Sequence, residues 1–368
     1  MPPLTVMVKP VSGLCNMNCT YCFYRDVAAH RSTGNYGKMN TQTLDNLVRR
    51  AFAYADGYCA FAFQGGEPTL AGVDFYREFL RLEKRYNARA LPLYHVIQTN
   101  GFDVSDEMIE LLARERFLCG VSLDGYQALH DTMRMDCRGG GTFDQVDGTI
   151  ARLKDAGADV NILCVVTHGV AQHAEEVWAA LSGYEYLQFI PCIDDIDQTM
   201  PRFRLSAEDY GEFLVRIFRC YARAWKKNRR VAVRLFDDFI VLLQGGIPDD
   251  CARYGRCAEH YVVEADGGVY PCDFYVLDKW RLGNVNRESF YKFARSPAGI
   301  AFREESAFIA QECRACRWYS LCRGGCRRYR EPFSPDSPRL NQWCESYRMF
   351  FEQCYDELLE LAKRTAKY

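Results

Sequence analysis

The first half of the chain alternates short β-rich apolar runs with longer amphipathic segments, and this rhythm restricts the possible folds more than any other feature. Six runs read as strands: residues 4–9, 60–64, 93–98, 117–122, 160–165 and 186–190. Segments between them, such as TQTLDNLVRRAFAYA and DFYREFLRLEKRY, carry apolar residues at three- and four-residue spacing and predict helices. Repeated strand–helix units form a parallel sheet. We therefore expect an α/β fold, with residues 1–195 forming an open, partial (β/α)6 barrel similar to a TIM barrel.

Polar, glycine-containing sequences follow three of these predicted strands. They are QGGE at 64–67, QTNG at 98–101 and SLDG at 122–125. Barrels and open parallel sheets carry their working groups at the carboxyl ends of the strands. The sequence therefore predicts a functional site at this edge.

Charge and hydropathy exclude several classes of partner. The 46 basic and 48 acidic residues leave a net charge of −2, which does not favour binding to nucleic acid or to an anionic membrane. No run approaches the ~20 apolar residues that a membrane span needs. The start, MPPLTVMVKP, lacks the pattern of a secretory signal. We expect a soluble, cytoplasmic protein, and a monomer by default.

The rhythm changes after Ile193, and the chain divides into three predicted domains. Residues 196–250 contain helical patterns at 207–227 and 236–243, and we interpret them as a helical bridge. From Cys251 the cysteine density rises, and VVEADGGVYPC predicts a β-hairpin with an Asp-Gly-Gly turn. The stretch EPFSPDSP predicts a surface connection. The predicted boundaries are 1–195, 196–250 and 251–368.

Cysteine is the outlier of the composition, with 18 residues in a chain too large to need disulfides for folding. Cys15, Cys19 and Cys22 form a C-x3-C-x2-C motif in the loop after the first strand. Three thiolates on a 4Fe-4S cube leave one iron open to an exogenous molecule, and an open metal position marks catalysis. A structural zinc site or a chance cluster is the alternative.

This motif, with Tyr21 before its last cysteine and Gln64-Gly65-Gly66-Glu67-Pro68 after the second strand, resembles the radical S-adenosylmethionine superfamily. The resemblance implies that the segment around Gly66 holds the amino group of S-adenosylmethionine. It also implies that Ser122 and Arg134 contact the ribose and carboxylate region, and that Ile193 lines the adenine pocket. Taken alone, the glycine-rich segment could be an ordinary strand-to-helix turn, and Arg134 a surface cation.

Eight further cysteines near the carboxyl terminus resemble the SPASM extension of peptide-modifying radical enzymes. The resemblance implies two fully ligated auxiliary 4Fe-4S clusters, which makes three clusters in all. One would be held by Cys251, Cys257, Cys272 and Cys326, and the other by Cys313, Cys316, Cys322 and Cys344. Two structural zinc sites are the alternative, since thiolates bind either metal. Most of the remaining seven cysteines are expected to be bystanders, since free cysteine behaves as a small buried apolar residue: Cys59, Cys119, Cys137, Cys164, Cys192, Cys220 and Cys354. Cys192 could instead belong to the site, because it lies at a strand end near it.

Several stretches together are similar to the anaerobic sulfatase-maturating enzymes: MPPLTVMVKP, CNMNCTYCFY, FAFQGGEPTLAG, VYPCDFYVLDKWRLGN and CRGGCRR. The resemblance implies that a 5′-deoxyadenosyl radical removes hydrogen from the β-carbon of a client cysteine or serine, giving Cα-formylglycine. Asp273 matches the family's catalytic aspartate and would be the general base that this oxidation needs. Tyr24 and Gln64 could orient it. Asp273 could instead be a turn residue, and Asp278 is expected to be a solvated loop charge.

The implied partners are an unfolded or nascent sulfatase polypeptide with a C/S-x-P/A-x-R motif and a flavodoxin or ferredoxin-like reductant. The acidic segment IDDIDQTMP could meet the client arginine, but a solvated loop is the simpler interpretation. Two other functions remain open at this point: crosslinking or epimerisation of a ribosomally made peptide, and a non-catalytic zinc or electron-carrier protein. The sequence does not separate a cysteine-type from a serine-type client.

Overall fold

The computed structural model describes residues 2–196 and 205–365, which fold into two compact units. Unit 1 comprises the described residues within Met1–Ser122, Arg134–Val160 and Glu259–Phe302. Unit 2 comprises those within Leu123–Met133, Asn161–Ala258 and Arg303–Tyr368. Each unit is therefore assembled from segments that are distant in the sequence.

The described residues contain ten strands and fifteen α-helices. The strands are β1 Leu4–Val8, β2 Cys59–Phe63, β3 Leu93–Thr99, β4 Leu118–Ser122, β5 Asp159–Val166, β6 Tyr186–Pro191, β7 Ala232–Val233, β8 Tyr261–Val263, β9 Gly268–Tyr270 and β10 Gly283–Asn284. The helices are α1 Phe23–Ala29, α2 Thr41–Tyr54, α3 Val73–Tyr86, α4 Asp106–Arg114, α5 Gln127–Met133, α6 Phe143–Asp155, α7 His168–Gln172, α8 Ala174–Leu181, α9 Ala207–Lys226, α10 Arg234–Leu243, α11 Phe290–Ala294, α12 Pro297–Ser306, α13 Gln311–Arg314, α14 Tyr319–Cys322 and α15 Cys344–Thr365. Short 3₁₀ turns occur at Pro68–Ala71, Cys251–Arg253, Asp273–Tyr275, Asp278–Trp280 and Arg327–Arg330.

In unit 1 the strands lie in the order β10-β9-β8-β1-β2-β3-β4. β1 to β4 are parallel, β8 adds to β1 in the same direction, and the hairpin β8–β9 turns the sheet antiparallel. Leu4, Val6 and Val8 of β1 are buried, and the two residues between them are more exposed, as expected for a strand that packs helices on one face. Parallel pairing brings the loops that follow β1, β2, β3 and β4 to one edge of the sheet.

Aromatic packing fills the core of unit 1 between β2 and α3. Phe63 lies 4.9 Å from Phe79 and 5.1 Å from Tyr76 between ring centroids, and Phe61 lies 5.0 Å from Phe79. Each buried phenylalanine contributes roughly 1.5–3 kcal/mol of transfer free energy. This core fixes β2, and therefore the loop that follows it.

Unit 2 contains β5 from Asn161 onward, the strands β6 and β7 that continue it in parallel, and the packed helices α9, α10 and α15. α9 begins with a capping box between Ser206 and Asp209. Gly211 allows α9 and α15 to approach closely, because a Cβ there would lie 3.1 Å from the Cα of Ser346. α14, which ends at Cys322, packs on α10, and α15 begins at Cys344, so this group of helices carries two of the cysteines.

The six predicted strands are confirmed as β1 to β6, each within one residue of the predicted ends. The helices predicted at 41–55, 74–86, 207–227 and 236–243 are confirmed as α2, α3, α9 and α10, and the hairpin as β8–β9. EPFSPDSP carries no helix or strand, as expected. The long helix α15 was not predicted, and much of the acidic segment IDDIDQTMP, from residue 197 onward, lies outside the described residues.

Candidate functional site

The three amino-terminal cysteines lie in the loop between β1 and α1. Cys22 is the N-cap residue directly before α1 and has extended backbone angles. The sulfur of Cys15 accepts hydrogen bonds from the backbone N–H of Met17 at 3.4 Å and from the side-chain amide of Asn100 at 3.5 Å. Asn100 also donates to Asn16 Oδ1 at 2.8 Å. The loop after β3 therefore supports the cysteine loop, which the sequence analysis did not anticipate.

Two of the predicted cofactor-binding residues lie together beside the second cysteine. Arg134 is buried, and its Nη1 lies 4.0 Å from the sulfur of Cys19. Its guanidinium lies 5.5 Å from the centroid of the Tyr21 ring, within cation–π distance. Arg134 is thus not a free surface cation, although its contact with a cofactor remains a prediction.

Both glycines of the segment after β2 are required by their surroundings. Gly66 has φ of +53°, and a Cβ there would lie 2.2 Å from the carbonyl oxygen of Leu14, in the cysteine loop. The backbone N–H of Glu67 donates to the same carbonyl at 2.8 Å. Gly65 has φ of +91°, and a Cβ there would collide with the side chain of Lys9. The two glycines therefore let the loop after β2 press against the loop after β1.

Glu67 is fully buried and joins the loops after β2 and β3. Its carboxylate accepts hydrogen bonds from Thr99 Oγ1 and Asn100 N, both at 2.7 Å, and from the backbone and hydroxyl of Thr69 at 3.0 and 2.8 Å. Burial raises the pKa of Glu67, and these hydrogen bonds oppose the rise. A carboxylate with four donors is occupied, so we assign it a structural role.

The remaining predicted cofactor residues are Ser122 and Ile193. Ser122 ends β4, is nearly buried and accepts a hydrogen bond from Gln98 Nε2 at 3.2 Å. Ile193 belongs to unit 2 and is half-buried two residues after β6 ends. The neighbouring Cys192 is buried, and burial followed by the charges of Asp124 and Asp194 raises its pKa to about 12.

The chemistry of the amino-terminal donor set is suited to an iron–sulfur cube. Cys15 is exposed as a residue, yet partial burial of its sulfur raises the pKa of the thiol to about 12. The charges of Glu67, Cys19 and Cys22 add to the rise. Three neighbouring thiolates therefore need a cationic partner, and iron supplies it. Within residues 2–196 and 205–365, no three His, Cys, Asp or Glu side chains surround a single-ion position. In a cube each thiolate binds its own iron.

Asp273 lies in the 3₁₀ turn directly after Cys272 and is held by three side chains. Tyr24 donates to Oδ2 at 2.6 Å, Gln64 Nε2 lies 3.5 Å from the same oxygen, and Lys9 Nζ lies 3.4 Å from Oδ1. Burial and the charge of Asp273 raise the pKa of Tyr24 well above its ordinary value. The predicted contacts of Tyr24 and Gln64 with Asp273 are therefore present.

Lys9 is a site residue that the sequence analysis missed. Besides Asp273, it faces the Tyr24 ring at 4.1 Å and Glu264 Oε1 at 3.9 Å. Arg31 Nη1 donates to the same Glu264 oxygen at 2.8 Å. A lysine at the end of a buried strand was the available signal, since lysine is rarely buried unless it is paired.

Asp278 is exposed, as expected, but it also accepts a hydrogen bond within the protein. Its Oδ2 accepts the backbone N–H of Ser32 at 2.7 Å, and this bond lowers the pKa of Asp278. The residue fastens the loop after α1 to the turn that follows Asp273.

Seven of the eight implied auxiliary-cluster ligands belong to unit 2, and they fall into two sets of mutually interacting thiols. Burial and the charge of Cys257 raise the pKa of Cys326 to about 12, and Cys251 also interacts with both. Burial, then Cys322, Cys313 and Cys316, raise the pKa of Cys344 to about 11. Cys272, the eighth ligand that the resemblance implies, belongs to unit 1. The role of all eight as ligands remains a prediction.

A run of buried arginines after Cys326 was also missed. Arg330 donates to the carbonyls of Phe308 and Ser306 at 2.6 and 2.8 Å, and Arg327 pairs with Glu305 at 2.9 Å. The sequence CRRYR was the signal, because consecutive arginines beside cysteine thiolates can stabilise their negative charge.

Six of the seven cysteines expected to be bystanders are buried, and Cys137 is exposed. Cys59, Cys119 and Cys164 lie on strands, as expected. Within the described part of the chain, no helix combines the length and the apolar character that crossing a bilayer requires.

Comparisons with known families agree with this layout. The radical SAM superfamily matches residues 10–180, and the iron-sulfur cluster-binding SPASM domain matches residues 251–317. The first match covers the loops after β1 to β4, and the second contains Asp273 and most of the carboxyl-terminal cysteines.

Whole-chain comparisons narrow the family further. The chain is 38% identical to a cysteine-type anaerobic sulfatase-maturating enzyme of Clostridium perfringens, over 98% of this chain and 99% of that protein. It is 29% identical to a serine-type enzyme of Klebsiella pneumoniae, over 95% of this chain and 87% of that protein. The solved structure of native anSMEcpe with bound AdoMet and Cp18Cys peptide superposes with a TM-score of 0.94 at 37% identity, covering 99% of this chain and 100% of that one.

The predicted fold class, a partial (β/α)6 barrel with a carboxyl-terminal SPASM domain, is confirmed by these matches. The chain therefore belongs to the anaerobic sulfatase-maturating enzymes, a family of radical SAM oxidoreductases that carry a SPASM domain.

Proposed function

We propose that this chain oxidises the β-carbon of a cysteine in a sulfatase client to Cα-formylglycine. The observation that carries the proposal is Asp273, a carboxylate held by Tyr24, Gln64 and Lys9 directly after Cys272. A cysteine client is favoured because the chain is 38% identical to a cysteine-type relative but 29% identical to a serine-type one.

The proposed cofactors are three 4Fe-4S clusters and S-adenosylmethionine. Cys15, Cys19 and Cys22 would hold the first cluster, and the residues that would bind S-adenosylmethionine are Tyr21, Gly66, Ser122, Arg134 and Ile193. When bound, the first cluster and S-adenosylmethionine would supply a 5′-deoxyadenosyl radical. The buried Arg134 supports this assignment, since a cation beside Cys19 suits a site for a carboxylate.

The substrate must lose a hydrogen atom from Cβ, the proton of its thiol and one further electron. The C–S single bond then becomes a double bond, which gives a thioaldehyde. Water replaces the sulfur of the thioaldehyde to give the aldehyde and hydrogen sulfide. We assign the thiol proton to Asp273, acting as general base. The raised pKa of Tyr24 keeps its phenol protonated, so Tyr24 donates to Asp273 rather than competing for the proton.

Lys9 and Glu264 balance the charge around this base. The Lys9 ammonium lies between the two carboxylates, and Arg31 pairs with Glu264 from the other side. Two buried cations thus face two carboxylates, an arrangement that lets Asp273 remain next to Cys272 without an uncompensated charge.

The remaining electron would leave through the auxiliary clusters. Their proposed ligand sets are Cys251, Cys257, Cys272 and Cys326, and Cys313, Cys316, Cys322 and Cys344. We retain the division into a barrel at 1–195, a helical bridge at 196–250 and a SPASM domain at 251–368. We also propose a monomeric, cytoplasmic enzyme that acts on unfolded or nascent clients with a flavodoxin or ferredoxin-like reductant.

The test is an anaerobic incubation of the iron-reconstituted protein with reductant, S-adenosylmethionine and matched C-x-P-x-R and S-x-A-x-R peptides. Mass spectrometry should show the aldehyde and 5′-deoxyadenosine, with the cysteine peptide converted faster. Formation of 5′-deoxyadenosine without aldehyde from either peptide would refute the proposed reaction.

A further inference from the structure

We propose that Arg253 donates hydrogen bonds to the auxiliary cluster held by Cys313, Cys316, Cys322 and Cys344, and raises its reduction potential. This inference rests on the cluster ligands assigned above but not on the reaction. Arg253 would be a positioning residue, because it acts on the substrate only through the cluster.

Arg253 is a charged side chain sealed inside unit 2. It ends the 3₁₀ turn Cys251–Arg253 and is 2% exposed. Its Nη2 donates to the hydroxyl of Tyr347 at 2.7 Å. Its guanidinium lies 4.6 Å from the Tyr347 ring and 5.1 Å from the Phe239 ring. Aromatic faces therefore hold the cation in one orientation.

Two nitrogens of this guanidinium have no protein partner. Among the described residues, Nε and Nη1 of Arg253 are buried and donate to no acceptor. The nearby Asp250 is used elsewhere, since its carboxylate caps the N–H of Ala252 at 3.0 Å. A buried cation with unpaired N–H groups is costly unless an anionic acceptor meets it.

The candidate anionic acceptor is the set of thiolates that includes Cys322 and Cys344, because chain neighbours of these two cysteines contact Arg253. Two contacts tie Arg253 to the same set: Arg323, which follows Cys322, donates to the Arg253 carbonyl at 3.1 Å, and Tyr347 follows Cys344 by three residues. These contacts place Arg253 between the chain segments that carry Cys322 and Cys344.

The expected effect follows from charge. A 4Fe-4S cluster with four thiolates is anionic, and its reduction adds another negative charge. A fixed cation in a buried site stabilises the reduced form more than the oxidised form, and so raises the potential. Such a cluster accepts the electron released by the substrate more readily.

The test uses full-length protein in which Cys15, Cys19 and Cys22 are replaced by alanine, so that only auxiliary clusters contribute to the EPR signal. In this background Arg253→Gln should lower the reduction potential of one cluster. At a fixed solution potential, the ratio of its reduced to its oxidised form should fall roughly tenfold, which for one electron corresponds to a shift of about 59 mV. Arg253→Lys, which keeps the charge, should shift it much less. A further Cys322→Ser change identifies the affected signal.

Arg314→Gln is the matched control, because Arg314 is exposed between Cys313 and Cys316. Its shift should be small, since solvent screens an exposed charge. The proposal is wrong if Arg253→Gln holds full iron with an unchanged potential, or if Arg314→Gln shifts it as far. If Arg253→Gln loses iron, the Arg253→Lys variant decides between the two explanations. Full iron content and a potential near the original in Arg253→Lys would support a charge effect. Iron loss in Arg253→Lys as well would show that Arg253 acts through packing alone and would overturn the proposal. The potentials are measured in a protein that lacks Cys15, Cys19 and Cys22, so they do not depend on cleavage of S-adenosylmethionine. Failure of the aldehyde assay would therefore refute the proposed reaction but not the effect of Arg253 on the cluster.

Discussion

Replacing Gly66 by alanine tests whether the loop after β2 positions the first cluster. An added Cβ would lie 2.2 Å from the carbonyl oxygen of Leu14, 2.9 Å from its carbon and 3.0 Å from the carbonyl carbon of Gly13. All three atoms are backbone, so no side-chain rotation relieves the overlap. The cysteine loop must withdraw by about 1 Å, and a displacement of that size near reacting groups costs about 10²-fold in rate.

The free energy of this substitution has two parts. Alanine at a positive φ costs about 1–3 kcal/mol, and overpacking adds about 1–3 kcal/mol. Gly72→Ala is the matched control, because Gly72 has φ of +88° with no atom within 4 Å of an added Cβ. Gly72→Ala should therefore lose only the first part.

Three measurements on the two variants separate the contributions: urea unfolding, iron content after reconstitution and aldehyde formation. Gly66→Ala should lose about four of about twelve irons and at least tenfold more activity than Gly72→Ala. Equal stability, iron content and activity in the two variants would refute the role of Gly66 in seating the cysteine loop.

Three further predictions follow from the charged groups. Asp273→Asn should reduce aldehyde formation by about 10²-fold or more while 5′-deoxyadenosine still forms, because an amide cannot accept the thiol proton; equal loss of both products would contradict this role. Lys9→Met should lower the aldehyde yield about tenfold and raise the ratio of 5′-deoxyadenosine to aldehyde, because a hydrogen bond to a charged group contributes about 1.5–3 kcal/mol. The control Lys279→Met, at an exposed lysine, should change neither quantity. Burial raises the pKa of Asp237 to about 6 from an ordinary 3.8, so its ionisation costs stability as pH rises through about 6. Asp237→Asn should therefore gain up to about 3 kcal/mol over the original protein between pH 4 and pH 7 in urea unfolding, and a constant difference across that range would exclude this cause.

Periodicity located the main elements because strand and helix burial repeat locally. Leu4, Val6 and Val8 alternate within five residues, and the ends of β1 to β6 followed from such patterns. α15 was missed because its apolar residues compete with a high density of charged ones, and because it is fixed by packing on α9. Tertiary packing overrides a weak local pattern.

The amino-acid sequence by itself determined the alternating β/α architecture, the three-cysteine loop and the aspartate that follows Cys272, because each is written in neighbouring residues. Only the tertiary structure decided what surrounds them. Lys9 meets Asp273 across 264 residues of chain, Asn100 reaches Cys15 across 85, and Arg253 meets Tyr347 across 94. Such contacts depend on strand order and helix packing, which bring together side chains whose local patterns carry no record of each other.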